Sequence, residues 1–221
     1  MAFLVVNTTE VEAEGGSNHI NKSGIYNLTL RHAEVKNTQN GATQINYLFD
    51  RVMSYGNTIL GNNGQPTFGY KVIESLATVV GTDELSDPEM VDVKFKTGTK
   101  ELSCIPELND VEVKAWIQFG YSMYKGEVRE NVTVKRFYRS TDGAAGSEIA
   151  KLDNGKDAVI GERLEKDMQF AEEIKYDDGT NEESVKAWKT AQMGGGSTAP
   201  TSAAKPSQFP GRAKSGFPGA K

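Results

Sequence analysis

The stretch VEVKAWIQFGYSMYKGEVRENVTVKRFYR, residues 111–139, carries six aromatic rings and six Lys or Arg side chains around a central Lys125-Gly126 pair. It reads as a β-hairpin with Lys125-Gly126 as a two-residue loop. Tyr124 then faces Glu127. Continuing that register, Ile117 meets Val134, Phe119 meets Val132 and Met123 meets Val128, all on one apolar face. The other face pairs Trp116 with Lys135, Lys114 with Phe137, Gln118 with Thr133 and Ser122 with Arg129. A slip of one residue would mix the two sets, so burial fixes the register.

Outward from this hairpin the rest of the chain takes shape. GIYNLTLRHAEVK, from residue 24, alternates Tyr26, Leu28 and Leu30 against Asn27, Thr29 and Arg31, as a strand does. NTQNG (37–41) is a turn, and ATQINYLFD (42–50) is a second strand with Ile45, Tyr47 and Phe49 on one face. A short third strand is expected near NTIL (57–60). The period then changes: Val72, Ile73, Leu76, Val79 and Val80 recur at helical spacing, and Gly81 supplies the left-handed stop. VDVKFK (91–96) alternates again and TGTKEL reads as a turn before the hairpin. Thr180 followed by Glu183 fits a capping box, predicting a helix over about 181–191 with Val185 and Trp188 inward.

Three strands, a helix and two more long strands is the element order of an OB-fold, a five-stranded, partly open barrel with its helix between strands 3 and 4. Other small α+β folds share that order. The expected organisation is a mainly β domain over 1–140, an acidic mixed extension with a short helix over 141–193, and a tail over 194–221. The tail is rich in Gly, Pro, Ala and Ser, repeats Phe-Pro-Gly, and is expected to be disordered.

Charge is unevenly spread. The chain carries a formal net charge of -5, yet residues 111–139 hold six bases against three acids. The tail holds four bases and no acid, while 140–193 holds thirteen acids and seven bases. Local fields outweigh the sum when screening lengths are about 8–10 Å. One cysteine, Cys104, excludes an intrachain disulfide. No apolar run approaches the roughly 18 to 20 residues of a membrane span, and MAFLVVN lacks the basic start of a signal peptide. The cytoplasm is the expected compartment.

Rings beside cations on an open sheet suit single-stranded nucleic acid. Each stacked base contributes about 1–3 kcal/mol regardless of sequence, and Lys or Arg neutralises phosphates. The candidate DNA-binding residues are Lys114, Trp116, Tyr124, Lys125, Arg129, Lys135, Phe137 and Arg139 on the hairpin. Lys36, at the first hairpin tip, and Arg51 and Tyr55, beyond the second strand, would extend the track. A second reading of the same face stands beside this one. Trp116 and Phe137 would be covered by 140–193 as a small second core, with Lys114 and Lys135 as rim charges. Tyr124 also reads as a hairpin-end aromatic.

The combination resembles a group of bacteriophage OB-fold single-stranded DNA-binding proteins. The resemblance rests on SGIYNLTLRHAEVKNTQNGATQINYLFD, on PTFGYKVIESLATVVG, on the closing hairpin and on the low-complexity extension. It implies a protein that coats single-stranded DNA without sequence preference during replication or recombination, in the cytoplasm of the infected bacterial cell. It places the binding role on Trp116, Lys114, Arg129, Lys135, Phe137 and Arg139. In many such proteins an acidic tail tipped with an aromatic recruits replication enzymes. This tail is basic, so Phe209, Arg212, Lys214, Phe217 and Lys221 are candidate contacts for replication, recombination or host transcription proteins.

Catalytic and cofactor signatures are missing from the sequence. His19 and His32 have no second ligand at metal spacing, and GNNGQPTFGYK lacks the Gly-Lys-Ser/Thr close of a phosphate loop. No nucleophile motif is present, so neither enzyme activity nor a cofactor is expected. A structural or interaction protein of a virus particle, and an adaptor working through the basic tail, are the competing functions. A homodimer through exposed strand edges is a further expectation.

Overall fold

The computed structural model describes residues 19–95, 97–177 and 179–194. The opening residues, Lys96 and the tail contacts expected at Phe209, Arg212, Lys214, Phe217 and Lys221 lie outside the described residues.

The fold is mainly β, an open and largely antiparallel sheet with few helices. β1 (Gly24–Asn37), β2 (Thr43–Phe49) and β3 (Met53–Leu60) form a meander. β4 (Glu89–Phe95) and β5 (Gly98–Cys104) form a hairpin joined to β1 at Glu34 and Cys104. β6 (Val111–Tyr124) and β7 (Glu127–Arg139) are the long hairpin, and β8 (Lys175–Tyr176) adds a short parallel pairing to β6. The path runs β3-β2-β1-β5-β4, with β6 pairing β1, β7 and β8.

β1 serves two partners along its length. Gly24–Leu30 pairs with β6, and Leu30–Asn37 pairs with β2. A register shift between Leu30 and His32 separates the halves, a bulge that bends the strand from one partner to the other. Because of it the core side reads Leu28, Leu30, Ala33, Val35 instead of a strict alternation. Ile45, Tyr47 and Phe49 face the core as their spacing predicts. The third strand begins at Met53, earlier than expected. TGTKEL is largely strand: Gly98 takes φ 127° beside the reversal, and the residues after it pair back along β4.

α1 (Phe68–Val80) follows β3. Thr67 caps it through its hydroxyl, which accepts from the Gly69 N–H at 3.2 Å. Val72, Ile73, Leu76 and Val79 are buried, and Gly81 at φ 79° ends the helix with Thr82 N–H donating back to the Ala77 carbonyl. A Cβ on Gly69 would collide with the Thr58 carbonyl, so glycine lets the helix start lie directly on β3.

The long hairpin turns at Lys125 (φ 52°) and Gly126 (φ 82°), the two left-handed residues that a tight hairpin needs. From Tyr124–Glu127 to Ile117–Val134 the pairing is as the sequence predicts. There it shifts. Trp116 pairs with Arg136, Ala115 with Phe137 and Lys114 with Tyr138, leaving Lys135 as the extra residue of a bulge. The expected Trp116–Lys135 and Lys114–Phe137 pairs are therefore absent.

Residues beyond β7 pack back on the hairpin's outer side. Tyr138 bridges to Ala145, and α2 (Gly146–Asp153) follows. The buried Glu148 carboxylate accepts from the N–H groups of Ala145, Gly161 and Arg163 at 2.9, 3.1 and 2.7 Å, fixing the entry to α3 (Glu162–Met168). The last helix, α4 (Glu182–Gly194), buries Val185 and half-buries Trp188, as predicted. Its cap differs from the expected Thr180/Glu183 box. Asn181 Oδ1 accepts from Ser184 N–H at 2.8 Å, and Ser184 Oγ accepts from Asn181 N–H at 3.0 Å. None of the helices among the described residues is long and apolar enough to cross a membrane.

Candidate nucleic-acid interface

The bulge at Lys135 redistributes the expected site residues between two sides of β7. Phe137 moves to the core, fully buried, with its ring centroid 5.3 Å from Tyr47 and 6.3 Å from Phe49. This corrects its expected place on the open face: one extra residue reverses the alternation, and the ring points inward. It is covered by the main core rather than by residues 140–193.

Trp116 is half-buried, and its indole N–H is enclosed without a hydrogen-bond partner. Beside it, the outer side of the ladder is occupied by the chain's own α3. Arg136 Nε lies 2.9 Å from Asp167 Oδ2, an ion-pair contact without the alignment of a hydrogen bond. The Tyr138 hydroxyl donates to Asp167 at 2.7 Å, and Arg163 reaches the same carboxylate at 2.8 Å. Burial, and then that carboxylate, push the Tyr138 phenol well above its ordinary pKa. Lys114 is half-buried and donates to the Ser140 carbonyl at 3.0 Å. Arg139 grips Asp142 at 2.7 and 3.0 Å, holding the Asp142 carboxyl down at about 2. The Trp116 side is thus largely a packed corner.

The other cations and rings stay accessible. Arg129 and Asn131 are exposed, and with Thr133 they alternate with Val132 and Val134, which face the core. Lys135 ends this row and places its Nζ 5.7 Å from the Phe68 ring centroid. At the other end, the Arg129 guanidinium carbon lies 4.0 Å from the Tyr124 ring centroid, and Lys125 Nζ lies 5.3 Å from it. Such pairs are held by attraction of the cation to the ring's quadrupole.

Between β3 and β7 runs a cleft of 490 Å³, lined by Tyr55, Phe68, Gly69, Asn131, Thr133 and their neighbours. Ser54 Oγ, donating to the Val132 carbonyl at 2.7 Å, bridges these two strands, which share no ladder among the described residues. Phe68 is 61% exposed, Tyr55 58% and Tyr124 47%. Asp177 also lines the cleft, and Lys175 neutralises it at 3.0 Å. Asn131 and Thr133 belong both to the row and to the cleft lining, so the two adjoin.

Lys36 is exposed near the β1–β2 turn, apart from the cleft lining. Arg51 is half-buried, donating to the Asn27 carbonyl and lying 3.7 Å from Asp50, so it braces the β2–β3 turn. Phe68 is the residue that sequence reasoning missed. It lies in the TFGY entry, one turn before Val72 on the apolar stripe, and so overhangs the end of the core.

A second, larger cavity of 760 Å³ lies under α4, lined by Tyr26, Phe119, Tyr121 and Trp188. Its charged lining is balanced, Lys22 and Lys189 against Glu130 and Glu172, so it offers no net attraction to phosphate. Among the described residues no group of three or more His, Cys, Asp or Glu side chains is placed to hold a metal ion. His32 Nδ1 lies 3.0 Å from Asn109 Oδ1. Compared with protein-family models and with curated proteins, the sequence matches none.

Proposed function

We propose that this chain binds single-stranded DNA without sequence preference, along the outer row of β7 and the cleft between β3 and β7. The observation that carries this reading is the placement of exposed rings beside cations of the long hairpin: Tyr124 with exposed Lys125 and Arg129, then Phe68 with half-buried Lys135, with Tyr55 across the cleft. Unpaired bases stack on the rings, and the Arg129–Lys135 row follows the phosphates. A duplex hides its base faces and gains only the cations.

The proposed scaffold is an OB-type barrel of β1, β2, β3, β7 and β6. The neighbours β3-β2-β1-β6-β7 support it, with Ser54 and Val132 meeting where β3 and β7 would close the ring. The β4–β5 hairpin is then an insertion between α1 and β6. On this reading the chain manages single strands in phage replication or recombination, in the cytoplasm of the infected host cell.

The test is a titration of a fluorescent oligonucleotide and of its duplex at several salt concentrations. Tighter binding to the single strand, weakening steeply with salt, is expected. Equal affinity for the duplex, or no binding at low salt, refutes it.

A further inference from the structure

We propose that the free edge of β4 pairs with the same strand of a second copy, across a two-fold axis at Val93. Among the described residues β4 pairs only with β5 and forms an end of the strand path. Its register with β5 is unbroken from Glu89–Cys104 to Phe95–Gly98, so the edge carries no bulge, and EMVDVKF contains no proline. Bulges and prolines are two of the devices that keep an edge strand from pairing; charge is a third, and β4 carries it as Glu89, Asp92 and Lys94, so the register must match those charges.

The residues of β4 select the partner and the register. A two-fold perpendicular to the sheet must pass through a residue, because paired side chains lie on one face. An axis at Asp92 sets that carboxylate against itself, and an axis at Lys94 does the same with two ammonium groups. An axis at Val91 sets Met90 against Asp92 and Glu89 against Val93. Of these, only an axis at Val93 leaves every pair formed within β4 favourable. Val93 meets Val93, Val91 meets Phe95 twice, and Asp92 meets Lys94 twice.

A second observation points the same way. Within the copy, Asp92 sits directly opposite Glu101, a like-charge pair. Among the described residues neither Asp92 nor Lys94 belongs to an ion pair. In the dimer each Lys94 stands beside the other copy's Asp92 and relieves this repulsion. Val91, Val93, Phe95 and Leu102 of both copies then share one face of a four-stranded ribbon, with each Lys100 laid over its Phe95.

Sedimentation velocity of the full chain, free of nucleic acid and at tens of micromolar, tests the pairing independently of the DNA reading. A dimer is expected. D92K and K94D each turn two attractive pairs into two repulsive ones and weaken association by about tenfold or more. The double variant D92K/K94D restores the dimer, because the exchanged charges again meet with opposite sign across the axis. Mixing the two single variants gives a heterodimer, which chains that had failed to fold would not do. A monomeric wild type overturns the proposal, as expected if another segment of this chain covers β4. So does a dimer indifferent to both single variants, or a charge swap that fails to restore association.

Discussion

Replacing Phe68 with alanine separates binding from folding more cleanly than any change on the long hairpin. The ring is 61% exposed and contacts Lys135 across 5.7 Å, so the folded state loses little when it is removed. Exposed substitutions change stability by about 0.5 kcal/mol, and an exposed cation–π pair adds about 0.5–1 kcal/mol. The loss for a bound strand is larger. One stacked base is worth about 1–3 kcal/mol, which corresponds to a Kd raised roughly 5- to 150-fold.

The assay is fluorescence anisotropy with a labelled oligonucleotide over a range of salt, alongside urea unfolding of the same variant. Phe68→Ala removes no charge, so the affinity falls at every salt concentration while the dependence of log Kd on log salt keeps its slope. An affinity within twofold of wild type, at unchanged stability, would refute the placement of the site. Loss of several kcal/mol of stability would show instead that the ring belongs to the core.

Three further outcomes follow from the geometry. Lys135→Gln and Arg129→Gln should each lower the salt slope by about 0.7, the value for one phosphate of a single strand, and leave unfolding by urea nearly unchanged. Phe137→Ala should destabilise the chain by about 3–5 kcal/mol in the same urea experiment, since the ring is fully buried against Tyr47 and Phe49; a loss below about 1 kcal/mol would contradict its inward placement. The Cys104 thiol is buried, and burial, with Glu34 adding to it, pushes its pKa up to about 11. A disulfide reagent at about pH 8 should therefore modify it only when urea unfolds the chain, and rapid labelling of the native protein would be inconsistent with this burial.

What the sequence made legible was whatever one strand or one helix decides alone. The α1 stripe from Val72 to Val79 and its Gly81 stop are local, as is the Lys125-Gly126 turn, whose two left-handed residues fix the register near the loop. Ile45, Tyr47 and Phe49 follow from simple alternation. The failures arose where one strand meets two partners. β1 changes neighbours near Leu30, and the shift there depends on β2 and β6 together. β5 was hidden because TGTKEL has almost no apolar residues: it is an exposed arm, and strand pairing holds it in place of burial. The role of α3 was also hidden, since Asp167 reads as one acid among thirteen in 140–193 until Arg136, Arg163 and Tyr138 converge on it.

The bulge at Lys135 connects these results. Without it, Phe137 would stand beside Lys114 on the outer face, and the core between Tyr47 and Phe49 would lack its ring. With it, the strand gains one residue between Val134 and Arg136. That single insertion sends Phe137 inward, turns Arg136 and Tyr138 toward Asp167, and leaves Lys135 beside Phe68. The same step therefore closes the Trp116 side under α3 and leaves, at the bulge itself, a cation next to an exposed ring. Bulges increase local twist and re-aim side chains, and here the re-aiming divides one basic, aromatic strand into a packed half and an accessible half. A ring-rich hairpin on an acidic protein then has two separate causes. The rings nearest Arg139, together with Phe119 and Tyr121, hold the fold together, and Tyr124 beside Lys125 remains exposed to meet a ligand.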